Sequence, residues 1–126
     1  MVGLRLPMLR SASGRAYLAW CPEREQNLIL ENLRSSKHPD DGMALDVAWV
    51  KSLLGNTRRR GYGERQEEVV ERTGAIAVPI RQGERVAACL SITFIASALT
   101  PQQAARQHLD ALRAAAHTIE TGLQHQ

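Results

Sequence analysis

An α+β fold, with an antiparallel sheet and helices packed on it, is what this 126-residue sequence predicts. Three observations carry that expectation. Apolar runs at residues 75–80 and 86–94 flank Arg81-Gln82-Gly83-Glu84, a hairpin connection in which glycine can supply positive φ. A long segment after them repeats apolar residues at three- and four-residue steps, the period of a helix. The first 60 residues read as shorter helices separated by turn formers. The length suits one domain with room for a buried core.

The elements follow in order. Ser11 and Ser13 offer hydroxyl N-caps to a first helix running through Trp20. Pro22 suits the first turn of a second, with Glu23 and Glu25 at its positive end. It should reach about Leu33, because residues 35–42 (SSKHPDDG) are dense in turn formers. A third helix is predicted over residues 43–60, with Met43, Val47, Val50 and Leu54 on one face and Gly61 as its stop. Arg58-Arg59-Arg60 then sits at the negative end of a helix dipole, and no aromatic or second basic run argues for a phosphate site. Residues 64–72 are polar and read as a loop or short edge element. Pro79 cannot donate to a ladder, so its strand should lie at an edge or be bulged there. The next strand alternates Cys89, Ser91 and Thr93 on one face with Leu90, Ile92 and Phe94 on the other. The last helix has Thr100 as N-cap, Pro101 at its first position and Gln103 to complete a capping box. Ala105, Leu109, Leu112, Ala116, Ile119 and Leu123 form its stripe, which either packs on the sheet or joins two copies.

Composition excludes several classes. Five aromatic residues are too few for base-stacking platforms. Sixteen basic residues against 13 acidic give a net charge of +3, short of an electrostatic footprint for DNA. Cys21 and Cys89 make neither a disulfide framework nor a metal spacing, and read as small buried residues. Arginines at 5, 10 and 15 interrupt any apolar leader, and the apolar run at 86–99 has the length of buried core, so a soluble cytoplasmic protein without membrane contact is expected.

Catalytic signatures are missing. No phosphate loop, dinucleotide fingerprint or HExxH pair occurs, and no cofactor is expected. His38, His108, His117 and His125 are scattered. Asp40 and Asp41 lack the further spaced carboxylates of a calcium loop. A pocket is the remaining possibility. The helix start at Ser13-Gly14 presents backbone N–H groups and a positive dipole end, which suit a carboxylate. Beside the Ser91/Thr93 face, it would line a cavity completed by Ala75, Ala77 and Leu9.

The order of motifs sharpens this reading. Leu6-Pro7, then Ser11-Ala12-Ser13-Gly14-Arg15-Ala16 and Leu18-Ala19-Trp20-Cys21-Pro22-Glu23, resembles the LPLxxTASGxAxLAFxPE signature of IclR-type transcriptional regulators. Arg60-Gly61-Tyr62-Gly63, Ile76-Ala77-Val78-Pro79-Ile80, Ala88-Cys89-Leu90-Ser91-Ile92-Thr93 and Leu99-Thr100-Pro101 resemble that family's RGYA, IAAPVF, AALSVS and LTPE segments. The opening residues and the FIASALT stretch look most like activators of 3-(3-hydroxyphenyl)propionate catabolism.

The resemblance implies a GAF-like effector-binding domain that self-associates as a dimer or higher and binds a small organic acid, an aromatic carboxylic acid such as a phenylpropionate for that subgroup. By the family's pattern the acid is held by Ala12, Ser13 and Gly14, by Ala75 and Ala77, and by Cys89, Ser91 and Thr93. Family members also carry a winged helix-turn-helix ahead of this domain. Met1 falls where they have an internal residue, so the N-terminal part of the effector domain is expected to be missing and DNA to be reached only through the absent module. A sheet edge left open that way would favour pairing with another copy. The alternative is a dimerisation fragment without a working pocket.

Overall fold

A computed structural model describes residues 8–65 and 72–124. Leu6, Pro7 and His125 lie outside them, as does most of the polar stretch after Glu64. Helices α1 (Ala12–Trp20), α2 (Glu23–Ser35) and α3 (Val47–Arg60) come first, with a 3-10 turn at Pro39–Leu45 between the last two. Strands β1 (Gly63–Arg65), β2 (Thr73–Gln82) and β3 (Arg85–Ile95) precede α4 (Pro101–Gln124). The sheet is antiparallel in the order β1-β2-β3. The expected α+β class is what forms.

The ends of the elements show why these residues form them. The Gly14 N–H donates to Ser11 Oγ at 2.9 Å, so Ser11 caps α1. Pro22 is the residue before α2 rather than its first member. The capping box of α4 closes in both directions: the Gln103 N–H donates to Thr100 Oγ1 at 3.1 Å and the Thr100 N–H to Gln103 Oε1 at 2.8 Å. Gly61 ends α3 at φ 93°, a left-handed conformation that other residues adopt only at a cost. The Arg113 guanidinium of α4 donates to its carbonyl.

The third helix is shorter than the sequence suggests. Asp46 interrupts it, because its carboxylate accepts from the Trp49 N–H at 3.1 Å and caps a new start there. Residues 39–45 wind as a 3-10 turn behind Pro39 instead. Val47 therefore sits in the first turn and is 54% exposed, off the face that buries Val50 and Leu54. The Pro79 expectation holds on one count: β2 breaks register at Ile80/Arg81, and β1 pairs only with Ala75 to Ala77, which leaves Pro79 unpaired on that side among the described residues. The exposed Arg81 N–H is taken up by Glu120 of α4 at 2.7 Å.

Three clusters make the core. Leu18 and Ala19 of α1 pack with Leu9, Leu30, Leu33, Val50 and Leu54. Leu9, expected in the pocket, is buried here. On the far side of the sheet Ile76, Val78 and Ile80 meet Ala104, Leu112 and Ala116 of α4, so that helix's stripe covers the sheet. Between these lies a cluster of alanines: Ala12 and Ala16 of α1 against Ala75 and Ala77 of β2. Glycines permit the same closeness. A β-carbon on Gly63 would strike the Ala12 carbonyl oxygen, and one on Gly14 the Met8 backbone. Arg15 fastens the layers, donating from Nε to the Leu9 carbonyl at 2.9 Å and from Nη1 to the Glu64 carbonyl at 2.8 Å.

Gly63→Ala should lower stability by about 1–3 kcal/mol, since the collision is with backbone that cannot rotate away. Urea unfolding measures it; a midpoint unchanged from wild type would show that α1 does not depend on this contact.

Candidate ligand-binding site

Helix α1 sorts its side chains by the 3.6-residue repeat. Ala12 and Ala16 face the sheet, and Ser13, Gly14 and Tyr17 share the neighbouring side, one turn apart. There, α1 and the chain entering it leave an open cleft of about 400 Å³ lined by Met8, Ser13, Gly14, Tyr17 and Cys89. It lies where the first turn of α1 meets β3.

The family pattern's residues divide three ways. Ser13, Gly14 and Cys89 line the cleft together. Ala12, Ala75 and Ala77 are buried against one another behind it, and their role is to bring α1 close to the sheet. Ser91 and Thr93 pair with Ala77 and Ala75 across the ladder and therefore share the Cys89 face, but both are exposed. They extend the floor beyond the cleft and do not line it. Sequence reasoning missed Met8 and Tyr17. For Tyr17 the signal was available: Ser13 and Tyr17 are four residues apart, the spacing that stacks two side chains on one helical face.

Polar chemistry in the cleft is unequal at its two ends. At the helix start Ser11 satisfies one N–H, that of Gly14, and the first turn of a helix carries others with no partner inside the helix. Tyr17 stands one turn on, and its hydroxyl donates to Glu25 Oε2 of α2. That bond to a carboxylate, with burial second, pushes the phenol up to about 12; the Arg85 guanidinium pulls weakly the other way. Burial raises the Cys89 thiol to about 11, so it is protonated and a poor nucleophile at neutral pH.

A second cleft lies between the end of α3 and α4, with Arg58, Arg113, His117 and Glu120 around it. Arg113 is engaged by the Gly61 carbonyl and His117 stands 3.9 Å from the Glu120 carboxylate. Among the described residues no group of three or more His, Cys, Asp or Glu side chains is placed to hold a metal. No helix among them is long and apolar enough to cross a membrane.

Fold and sequence together mark a domain of the bacterial transcriptional regulators. The description "Bacterial transcriptional regulator IclR C-terminal" matches residues 1–121, and the chain belongs to that family. It is 34% identical over 97 residues to the HTH-type transcriptional regulator XynR of Escherichia coli K12, covering 76% of this chain and 38% of XynR. KdgR of the same strain is 35% identical over 95 residues, 74% of this chain and 35% of KdgR. Among solved structures, the C-terminal domain of E. coli KdgR superposes with a TM-score of 0.71 at 29% identity, covering 96% of this chain and 73% of that one. The Thermotoga maritima IclR gives 0.75 at 25%, covering 98% and 49%. The chain thus spans under two fifths of the two E. coli regulators. These relatives are transcriptional regulators rather than enzymes. Neither is named for hydroxyphenylpropionate catabolism, so the subgroup expected from the opening residues gains no support from them.

Because the folded chain raises the Tyr17 pKa from 10 to about 12, the Tyr17–Glu25 bond stabilises the fold fully below pH 10 and is lost as pH climbs through 12. Titration by ultraviolet absorbance should show one tyrosine ionising near pH 12. Glu25→Ala should bring that step down by more than one unit, and an unchanged step would refute the assignment.

Proposed function

We propose that this chain is the effector-sensing portion of an IclR-family regulator and that a small organic acid occupies the cleft between the start of α1 and Cys89. The observation that carries the reading is the convergence of a capped helix N-terminus with an open cavity whose other walls are mainly apolar. A carboxylate there meets the positive end of the α1 dipole and its first-turn N–H groups. Met8, the Tyr17 ring and Cys89 supply apolar surface for the rest of the molecule. The volume of about 400 Å³ is within the range of small-molecule sites, and an aryl acid such as a phenylpropionate is one class that fits it. Ser91 and Thr93 serve a ligand long enough to leave the cleft along β3.

Regulation follows from where the cleft sits. It joins α1, the segment before it and β3, so a bound acid favours whichever arrangement of those three it contacts best. Only a difference in affinity between arrangements shifts their populations. In the longer regulator that shift would reach DNA through a separate DNA-binding module, and self-association would place two such domains side by side. A fragment that merely dimerises needs no cleft at the helix start, which favours the sensing reading.

A screen of small carboxylic acids, arylpropionates included, should raise the melting temperature of the chain. At about 100 times Kd the stabilisation is about 2.7 kcal/mol, several degrees for a domain of this size. Cys89→Phe, which fills the cleft, should abolish the rise while leaving the unliganded melt cooperative. Absence of any shift across the acids, or an undiminished shift in Cys89→Phe, would count against the site.

A further inference from the structure

Sequence alone gives Arg58-Arg59-Arg60 no partner beyond the end of its own helix. The fold sorts the three arginines and brings distant residues to one of them. Arg59 donates to Asn56 Oδ1, and Arg60 pairs with Glu64 at 3.4 Å. Arg58 has no hydrogen bond or ion pair among the described residues, and it lines the cleft between α3 and α4. Arg113 and His117, one turn apart on α4, line the same cleft, so the second basic group comes from across the fold.

This cleft has an apolar side as well. Strand β1 pairs only with Ala75 to Ala77, so it stops before Val78 and Pro79 and leaves their edge of β2 to the cleft. Trp20, at the end of α1, adds an indole to them. The volume is about 470 Å³, within the range of small-molecule sites.

Two features bring negative charge here, and both are engaged. The end of α3 presents the Gly61 carbonyl, which accepts from Arg113 Nη2 at 3.3 Å. Arg113 can lie over that helix end because residue 61 has no side chain; a β-carbon there would strike its guanidinium. One oxygen of Glu120 accepts from the Arg81 N–H at 2.7 Å, and the other stands 3.9 Å from His117 Nδ1. Arg58 keeps all its donors, and Arg113 keeps those that the single carbonyl does not use. Set against Glu120 alone, the two arginines leave an excess of one positive charge, which protonation of His117 raises to two.

From this we infer that the cleft between α3 and α4 is a second ligand site and takes a small phosphate monoester. Such a group carries about two negative charges near neutral pH and offers three terminal oxygens, so it can accept from guanidinium groups on two elements at once. Arg58 of α3 and Arg113 of α4 hold the phosphate, and the carbon portion rests on Val78, Pro79 and Trp20. The inference does not depend on the cleft at the start of α1.

The test is calorimetric titration of the chain with phenyl phosphate, inorganic phosphate and phenylacetate. Phenyl phosphate should bind about tenfold more tightly than phenylacetate, which keeps the ring with a single charge, and more tightly than inorganic phosphate, which lacks the ring. Arg58→Gln should leave the unliganded melt unchanged, since Arg58 holds nothing there, and should weaken phenyl phosphate by about tenfold. Arg59→Gln removes the same charge outside the cleft and should leave the affinity unchanged. Cys89→Phe, which fills the other cleft, should leave it unchanged too. Failure of phenyl phosphate to bind, an equal affinity for phenylacetate or inorganic phosphate, or equal weakening by Arg58→Gln and Arg59→Gln overturns the inference. Loss of phenyl phosphate binding in Cys89→Phe overturns it as well, by placing that ligand in the cleft at α1.

Discussion

The distance between α1 and the sheet governs the molecule, and that distance is set by side-chain volume that is missing. Ala12 and Ala16 meet Ala75 and Ala77 with almost no exposure left on any of them. Gly63 lets β1 run against the backbone of α1, and Gly14 lets the incoming chain cross the helix at Met8. Larger residues at these positions would hold the helix off the sheet by more than packing can recover, because protein interiors leave no slack for extra methylenes.

Close approach has consequences on both sides of α1. Its other face carries Leu18 and Ala19 into the cluster of Leu30, Leu33, Val50 and Leu54, so one nine-residue helix ties the helical layer to the sheet. Strand β2 is buried on both faces, by α1 on one and by α4 on the other. Arg15 then spans the seam, binding one carbonyl before the helix and one on β1. The cleft lies on the adjacent flank of α1, where the side chains change from alanine to serine and tyrosine and the neighbouring strand is β3 rather than β2.

The cleft draws its walls from α1, the chain before it and β3. The wall formed by α1 is held by caps, alanine packing and Arg15. Tyr17, on the same helix, also reaches α2, because its hydroxyl donates to Glu25. Tyr17 thus links the cleft to the helical layer. Membership of the IclR family places that link in a domain found in bacterial transcriptional regulators.

Local chemistry was legible in the residues themselves. Periodicity and punctuation located the hairpin, the last helix with its capping box and the Gly61 stop, because propensity, capping and turn geometry are satisfied within a few neighbours. Motif order likewise pointed to the family and to the ASG helix start. The alternation of Cys89, Ser91 and Thr93 placed them on one face, yet alternation is blind to what covers a face. Only the packing of α1 over β2 decided that Cys89 would line the cleft while Ser91 and Thr93 stayed exposed, and that Ala12, Ala75 and Ala77 would be filler behind it. Asp46 cut the third helix because a carboxylate that caps a new start outcompetes the apolar pattern around it. The Tyr17–Glu25 bond joins residues only eight apart, but it forms because α2 turns back beside α1, and that turn is a product of the shared leucine core.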